Sequence, residues 1–392
     1  MTELNARLQG IADSYVNRNL YAGIAWQVDK AGATIARGTS GTGDEERKAP
    51  LGDDAIYRIY SMTKPIVSFM ALILIERCQL RLSDFVMQFI PAFSDTEVMC
   101  SDGTEPPARP MTVEDLLTHR SGLSYDFVPD CPIASRYSES ELLNRSDLSL
   151  SEFVDRIASF PLAFHPGSQW RYSYSTDVLA RVLEVATGRS IDQLLAENIF
   201  GPLNMVDTGF AVPEEKQARL LPLFGFESID LSYTEPPPHD LVLLDGEAIY
   251  PSRTGHNALR GGHGLFSTCP DYIRFATMLL TGKGPDGHPL VSPAMHKLML
   301  ANRIPENQMP LRLGPMTFAG YGFCLIGRVM QDLGRAMSLT GREEFGWEGA
   351  AGTYFWVDPA EQLVGVLMTQ FLATYLPLRD DIRVAVYGML NQ

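Results

Sequence analysis

The sequence predicts an α+β fold in which one antiparallel sheet is built from both ends of a 392-residue chain and flanked by helices, with a mainly helical region inserted. Three observations carry this reading. Strand formers joined by short turns sit near residues 23–37 and again after about 315. Helical spacing dominates between about 85 and 300, and helical patterns close both ends of the chain. Strands joined by short turns pair antiparallel. The expected division is residues 1–85 and 301–392 in the sheet domain and 86–300 in the helical domain, with the active site between them.

The elements follow in order. Glu3 to Asn19 places Leu4, Leu8, Ile11 and Val16 on roughly one helical face. Gly23 to Val28 and Ala33 to Arg37 flank the turn Asp29 to Gly32, which makes a hairpin. A helix begins at Ser61, with Pro65 in its first turns where proline is tolerated. Its body, Ile66 to Ile75, is apolar on nearly every side and should be buried all round. Further helices are expected over 113–117, 150–159, 176–187, 191–199, 270–280 and 293–300. The loop from Gly225 to Gly264 carries Pro236, Pro237 and Pro238 and is long enough to expect a functional role. Strands return over 321–329, 342–347, 353–357 and 362–370, and a helix over 378–390 closes the chain.

Composition excludes several function classes. Hydrophobic residues make up 45% and charged residues 20%, the balance of a protein with a sizeable core. The formal charge of −15 repels phosphate backbones, so no nucleic-acid partner is expected. The longest apolar stretch is about half of a membrane span, and the N-terminus lacks a basic and apolar leader pattern. No membrane partner is therefore expected. The five cysteines are scattered without C-x-x-C or metal-ligand spacing. They read as mostly buried thiols in a cytoplasmic protein with neither disulfide framework nor metal site.

The chemistry starts at Ser61-Met62-Thr63-Lys64, an S-x-x-K at a helix start. Positions i and i+3 share a helix face, so the lysine amine lies against the serine hydroxyl. A first-turn N–H is unpaired and free to face a substrate oxygen. Nucleophile, base and half an oxyanion hole thus fall within four residues. With six lysines, such a motif arises by chance about 0.4 times, so its position before an apolar helix carries the weight. Other signatures are missing. There is no G-x-S-x-G, no H-E-x-x-H and no Gly-rich phosphate loop of either common pattern, so no cofactor is expected. Gly261-Gly262-His263-Gly264 reads as a tight backbone turn near a pocket.

In order along the chain, these residues resemble the serine hydrolases that comprise class C β-lactamases, D-alanyl-D-alanine carboxypeptidases and family VIII carboxylesterases. The matching blocks are Ser61 to Pro65, Tyr172 to Leu179 preceded by Pro166 to Trp170, and Trp347-Glu348-Gly349 at the place of a Lys-Thr-Gly strand motif. Leu116 to Leu123 and Gly261 to Leu265 also resemble family segments. The resemblance implies a β-lactamase/transpeptidase-like fold. It implies Ser61 as the acylated nucleophile, Lys64 and Tyr172 sharing the general-base role, and backbone N–H groups of Ser61 and Ala350 as the oxyanion hole. Asp177 either anchors the Tyr172 loop or is a helix N-terminal charge. Tyr125 and Phe127 either line an acyl pocket or are core aromatics.

Two departures from the family pattern set the expected substrate. Tyr174 stands where the Tyr-x-Asn block has asparagine, and Trp347 replaces the Lys-Thr-Gly lysine. An indole in place of a cation removes attraction for a carboxylate and adds apolar area. Trp347, Gly349 and Tyr174, with Tyr125 and Phe127, are the expected substrate-binding residues. The resemblance is to the esterase branch, and a small-molecule acyl ester of short to medium chain is the expected substrate. The alternatives are a β-lactamase, a D-amino-acid peptidase or amidase, an acyltransferase, or a non-catalytic binding protein on the same fold.

Overall fold

The computed structural model describes residues 2–129, 131–225, 241–372 and 376–390. The prolines at 236–238 lie outside them. The sheet has seven strands: β1 (Gly23–Lys30), β2 (Ala33–Gly41), β3 (Tyr321–Phe323), β4 (Arg328–Met330), β5 (Phe345–Glu348), β6 (Tyr354–Asp358) and β7 (Leu363–Thr369). Their spatial order is β3-β4-β5-β6-β7-β1-β2, with every pair antiparallel. The two ends of the chain meet at β1 and β7, where Ile24 faces Thr369 and Lys30 faces Leu363. The fold is the expected one.

One expected strand divides. Residues 321–329 form β3, a tight turn and β4, not one strand. The Cys324 N–H closes the turn on the Gly327 carbonyl at 2.8 Å. A Cβ at Gly327 would stand 2.6 Å from the Gly346 carbonyl oxygen, so the turn presses on β5 where only glycine fits. Apolar Cys324-Leu325-Ile326 hid this turn from pattern reading. The expected helix over 191–199 likewise passes from an α-helix, Ile191–Leu195, into a π-turn, Ala196–Phe200.

Period-two alternation along β1 feeds two cores. On one face Ile24, Trp26 and Val28 meet Tyr354, Trp356 and Leu367 beneath the terminal helices α1 (Glu3–Asn17) and α7 (Leu378–Met389). On the other, Ala25, Phe355, Val364 and Val366 join the main core. That core holds α2 (Thr63–Glu76), in which every residue from Thr63 to Leu74 is buried, as its all-round apolarity requires. Further helices include α3 (Val113–Leu117), α4 (Leu150–Ala158), α5 (Ser175–Thr187) and α6 (Cys269–Thr281). Helix α6 lies against β7, β6 and β1, so the chain has rejoined the sheet before residue 300. β7 is buried along its whole length, the mark of a strand covered on both faces.

A charge cluster bolts α7 to the far end of the sheet. Glu344, wholly buried, accepts from Arg328 and Arg383 at 2.9 Å each, and from Thr340 and Tyr321. The two guanidiniums and these hydroxyls outweigh burial and hold its carboxyl down at about 2. Beside it, Arg379 of α7 pairs with Glu348 of β5. Among the described residues, no helix is long and apolar enough to cross a membrane.

Candidate active site

Ser61 sits at a sharp corner. The two-residue strand Tyr57–Arg58 pairs with Phe266–Ser267, and a 3-10 turn, Tyr60–Met62, leads into α2. Tyr60 takes a left-handed φ of 43°, an uncommon backbone state for a bulky residue. Its ring is held against Tyr250 with centroids 5.1 Å apart. The corner leaves Ser61 partly exposed, while Met62 and Lys64 turn inward. One helical turn on, the Lys64 Nζ lies 3.0 Å from Ser61 Oγ and donates to the Gly262 carbonyl at 2.7 Å. Lys64 is 4% exposed, and burial pushes its amine down to about 7, against the pull of Asp177.

Tyr172 reaches the same point from a loop held by the segment before it. The Arg171 N–H donates to the His119 carbonyl at 2.9 Å and the Tyr174 N–H to Ser124 at 3.3 Å. Between them, Ser121, Ser175 and Ser173 hydroxyls form a chain of 2.7 Å contacts that ends on His119 Nδ1 at 3.2 Å. The Tyr172 ring lies 4.7 Å from Lys64 Nζ. Burial lifts its phenol well above the ordinary range, opposed by hydrogen bonds to Ser61 and Trp347. Packed 4.8 Å from Tyr172, the His119 ring is held far below the usual imidazole range by burial and Lys64.

The third wall is the end of β5. A Cβ on Gly349 would stand 2.4 Å from the Ile59 carbonyl oxygen, so this strand end presses onto the lead-in to Ser61 and only glycine allows it. Ala350 follows, partly exposed. Among the described residues, the backbone N–H groups of Ser61 and Ala350 have no hydrogen-bond partner. Trp347 is 2% exposed, and its Nε1–H donates to the Tyr172 hydroxyl at 3.2 Å. Its ring packs among Phe318, Phe323 and Tyr172.

Of the expected substrate-binding residues, Tyr125 and Phe127 stack at 4.7 Å, with the Tyr125 ring 5.1 Å from Lys64 Nζ. Tyr174 stands apart. It is wholly buried among Tyr125, Tyr137 and Phe153, and its hydroxyl is spent on Asp126 at 3.3 Å. Apolar packing, not the cleft, takes up that ring. Asp177, at the start of α5, accepts the Gly262 N–H at 2.9 Å. Sequence reasoning missed the Gly262 carbonyl and the imidazole of His119. They lie in the blocks Gly261–Leu265, which reads in the sequence only as a tight backbone turn near a pocket, and Leu116–Leu123, which resembles a family segment with no residue role attached. Among the described residues no group of His, Cys, Asp and Glu side chains is placed to hold a metal ion.

The family described as Beta-lactamase matches residues 8–387. Protein Rv1367c of Mycobacterium tuberculosis is 31% identical over 88% of this chain and 84% of that protein. Esterase EstB of Burkholderia gladioli is 29% identical over 98% of this chain and 95% of its own. Among solved structures, EstCE1, described as a hydrolase with promiscuous acyltransferase activity, superposes with a TM-score of 0.82. It is 25% identical and matches over 98% of both chains.

Proposed function

The chain belongs to the beta-lactamase family, and on that premise we propose that it is a serine carboxylesterase hydrolysing short- to medium-chain acyl esters through an acyl-enzyme on Ser61. One observation carries the reading. A buried Lys64 amine, held near neutrality, lies 3.0 Å from a partly exposed serine hydroxyl at a strained corner. Unprotonated, that amine takes the Ser61 proton as Oγ attacks the ester carbonyl. The Ser61 and Ala350 N–H groups receive the oxyanion. Burial keeps the Tyr172 phenol protonated at neutral pH, which suits it to protonate the leaving alcohol. The proton on Lys64 then passes to the Tyr172 phenolate, which resets both groups, and water attacks the acyl-enzyme with Lys64 as base while Tyr172 returns a proton to Ser61 Oγ. EstB is named an esterase, which supports this chemistry for its relative. We place the protein in the cytoplasm on its five unpaired thiols, three of them buried.

Trp347 favours esters over β-lactams. The site offers an indole, already committed to Tyr172, where a lactamase of the same pattern has a cation for the drug's carboxylate. Losing one charge-assisted hydrogen bond removes about 1.5–3 kcal/mol, or roughly one to two decades of rate. The description of EstCE1 supports acyl transfer as a side reaction, in which an alcohol replaces water. The test is a panel of p-nitrophenyl esters beside a chromogenic cephalosporin, with a fluorophosphonate to label the nucleophile. The expected result is a label on Ser61 and a kcat/KM for butyrate well above that for the cephalosporin. A label elsewhere, or equal values for the two substrates, overturns the proposal.

A further inference from the structure

Resting on the reading of Ser61 and Lys64 above, we infer that Asp177 and the turn Gly261–Gly264 form a clamp that aims the Lys64 amine at Ser61, with Asp177 as its positioning residue. The groups lie in series. Asp177 Oδ1 accepts the Gly262 N–H at 2.9 Å, the Gly262 carbonyl accepts Lys64 Nζ at 2.7 Å, and Nζ lies 3.0 Å from Ser61 Oγ. The turn reaches Lys64 because Gly261 and Gly262 carry no side chains to hold it off. A Cβ on Gly261 would stand 2.5 Å from the Thr176 carbonyl oxygen, and one on Gly262 would stand 2.4 Å from Asp177 Oδ2. The two glycines therefore let the backbone lie flat on the first turn of α5.

Asp177 is also chemically odd. It is wholly buried, and its Oδ2 has no hydrogen-bond partner among the described residues. A buried carboxylate oxygen left unpaired is costly and calls for a reason. Burial raises the Asp177 carboxyl, and Lys64 and the Gly262 N–H oppose that rise. The groups facing Lys64 leave Asp177 as its counter-ion. Tyr125 and Tyr172 present rings to it and are kept as phenols by burial. His119 is held far below its ordinary range and His263 at about 3, so both imidazoles are neutral. Arg260 also acts on Asp177 through its charge, with its Nη2 committed to the Arg145 and Leu148 carbonyls.

The clamp has two separable effects, one on charge and one on aim. Asp177→Asn keeps an oxygen for the Gly262 N–H and removes the charge. Without that anion Lys64 sheds its proton more readily, so the acid limb of the pH profile moves to lower pH, by about half a unit or more. Gly262→Ala keeps the charge and displaces the carbonyl, so kcat falls about tenfold or more with little change in KM. The experiment follows Ser61 labelling by a fluorophosphonate against pH, by intact mass, with kcat and KM for p-nitrophenyl butyrate measured beside it. An unmoved limb in Asp177→Asn overturns the charge effect, and a wild-type kcat in Gly262→Ala overturns the aim. If Asp177→Asn does not fold, Gly262→Ala decides alone. Absence of any Ser61 label in the wild type sinks the hydrolase reading itself. A labelled Ser61 with both variants behaving as wild type sinks the clamp only.

Discussion

Two clusters of buried charge, one where α7 docks on the sheet and one at the start of α2, show burial with opposite outcomes. Glu344 accepts four donors, two of them guanidiniums, and its carboxyl is held down at about 2. Asp177 accepts one donor on Oδ1 and none on Oδ2, its carboxyl is raised, and its partner Lys64 is lowered to about 7. Desolvation opposes ionisation in both clusters. The number of hydrogen bonds and opposite charges decides which way each titrates. The saturated cluster is a fastener whose protons never move in the working pH range. The unsaturated one keeps an amine on the edge of ionisation, which is what proton transfer needs.

The sharpest way to break this contrast is to remove the groups said to do chemistry. Ser61→Ala should abolish ester turnover while the unfolding midpoint stays near wild type, since a partly exposed hydroxyl is lost from a cleft. Lys64→Ala and Tyr172→Phe should each cost several decades in kcat/KM. Their double mutant should cost little more, because groups acting as a unit are strongly non-additive. Full additivity would separate them.

Next in size is Glu344→Gln. It leaves two guanidiniums without their anion and should cost about 3–5 kcal/mol by denaturant unfolding, with the activity of the folded fraction retained. The sign with pH is fixed by the lowered carboxyl. The wild-type contribution is complete above the unfolded value of about 4.3 and is lost as pH falls toward about 2. An acid-unfolding midpoint that Glu344→Gln does not raise would remove the fastener.

Lys64→Met tests the contrast from the other side. A lysine whose folded value is lowered binds fewer protons than its unfolded form. It therefore costs stability at neutral pH, a cost that shrinks as pH rises toward 10.4. The variant should be inactive yet more stable by about 0.5–2 kcal/mol. A clear loss of stability would class Lys64 with Glu344. The smallest effect belongs to Trp347→Phe, which removes one neutral hydrogen bond to Tyr172. About 0.5–1.5 kcal/mol should appear as a several-fold drop in kcat, with KM nearly constant.

Local sequence carries much of this molecule. Ser61 and Lys64 were legible because a helical period of three to four brings them together. The sheet was legible because its strands lie between short turns. The saturated cluster was not, since Arg328, Glu344 and Arg383 meet only when α7 docks on β4. Asp177 was legible as an acid at a helix start, one of two open readings. Its link to Lys64 runs through a backbone carbonyl that no side-chain pattern records. In the sequence Trp347 shows only what it lacks, a charge, because its hydrogen bond to Tyr172 spans 175 residues. The motif position of Tyr174 points to the cleft, whereas the aromatic neighbours that bury it come from three separate segments.

The pairing of β1 with β7 has a consequence for how the protein is made. Ile24 leaves the ribosome long before its partner Thr369 exists. At roughly 5–20 residues per second, the first hairpin waits tens of seconds for the strand that completes it. Until then α6, which lies against β7, β6 and β1, has only part of its sheet to cover it, while α2 rests on α5 and its helical neighbours. Ser61, in the turn that leads into the most apolar helix of the chain, is thus synthesised early, and the face of α6 that meets β7 is covered only after the last strand emerges. A chain cut short before β7 should for that reason aggregate, not fold in part, and its fate in the cell should depend on holding chaperones.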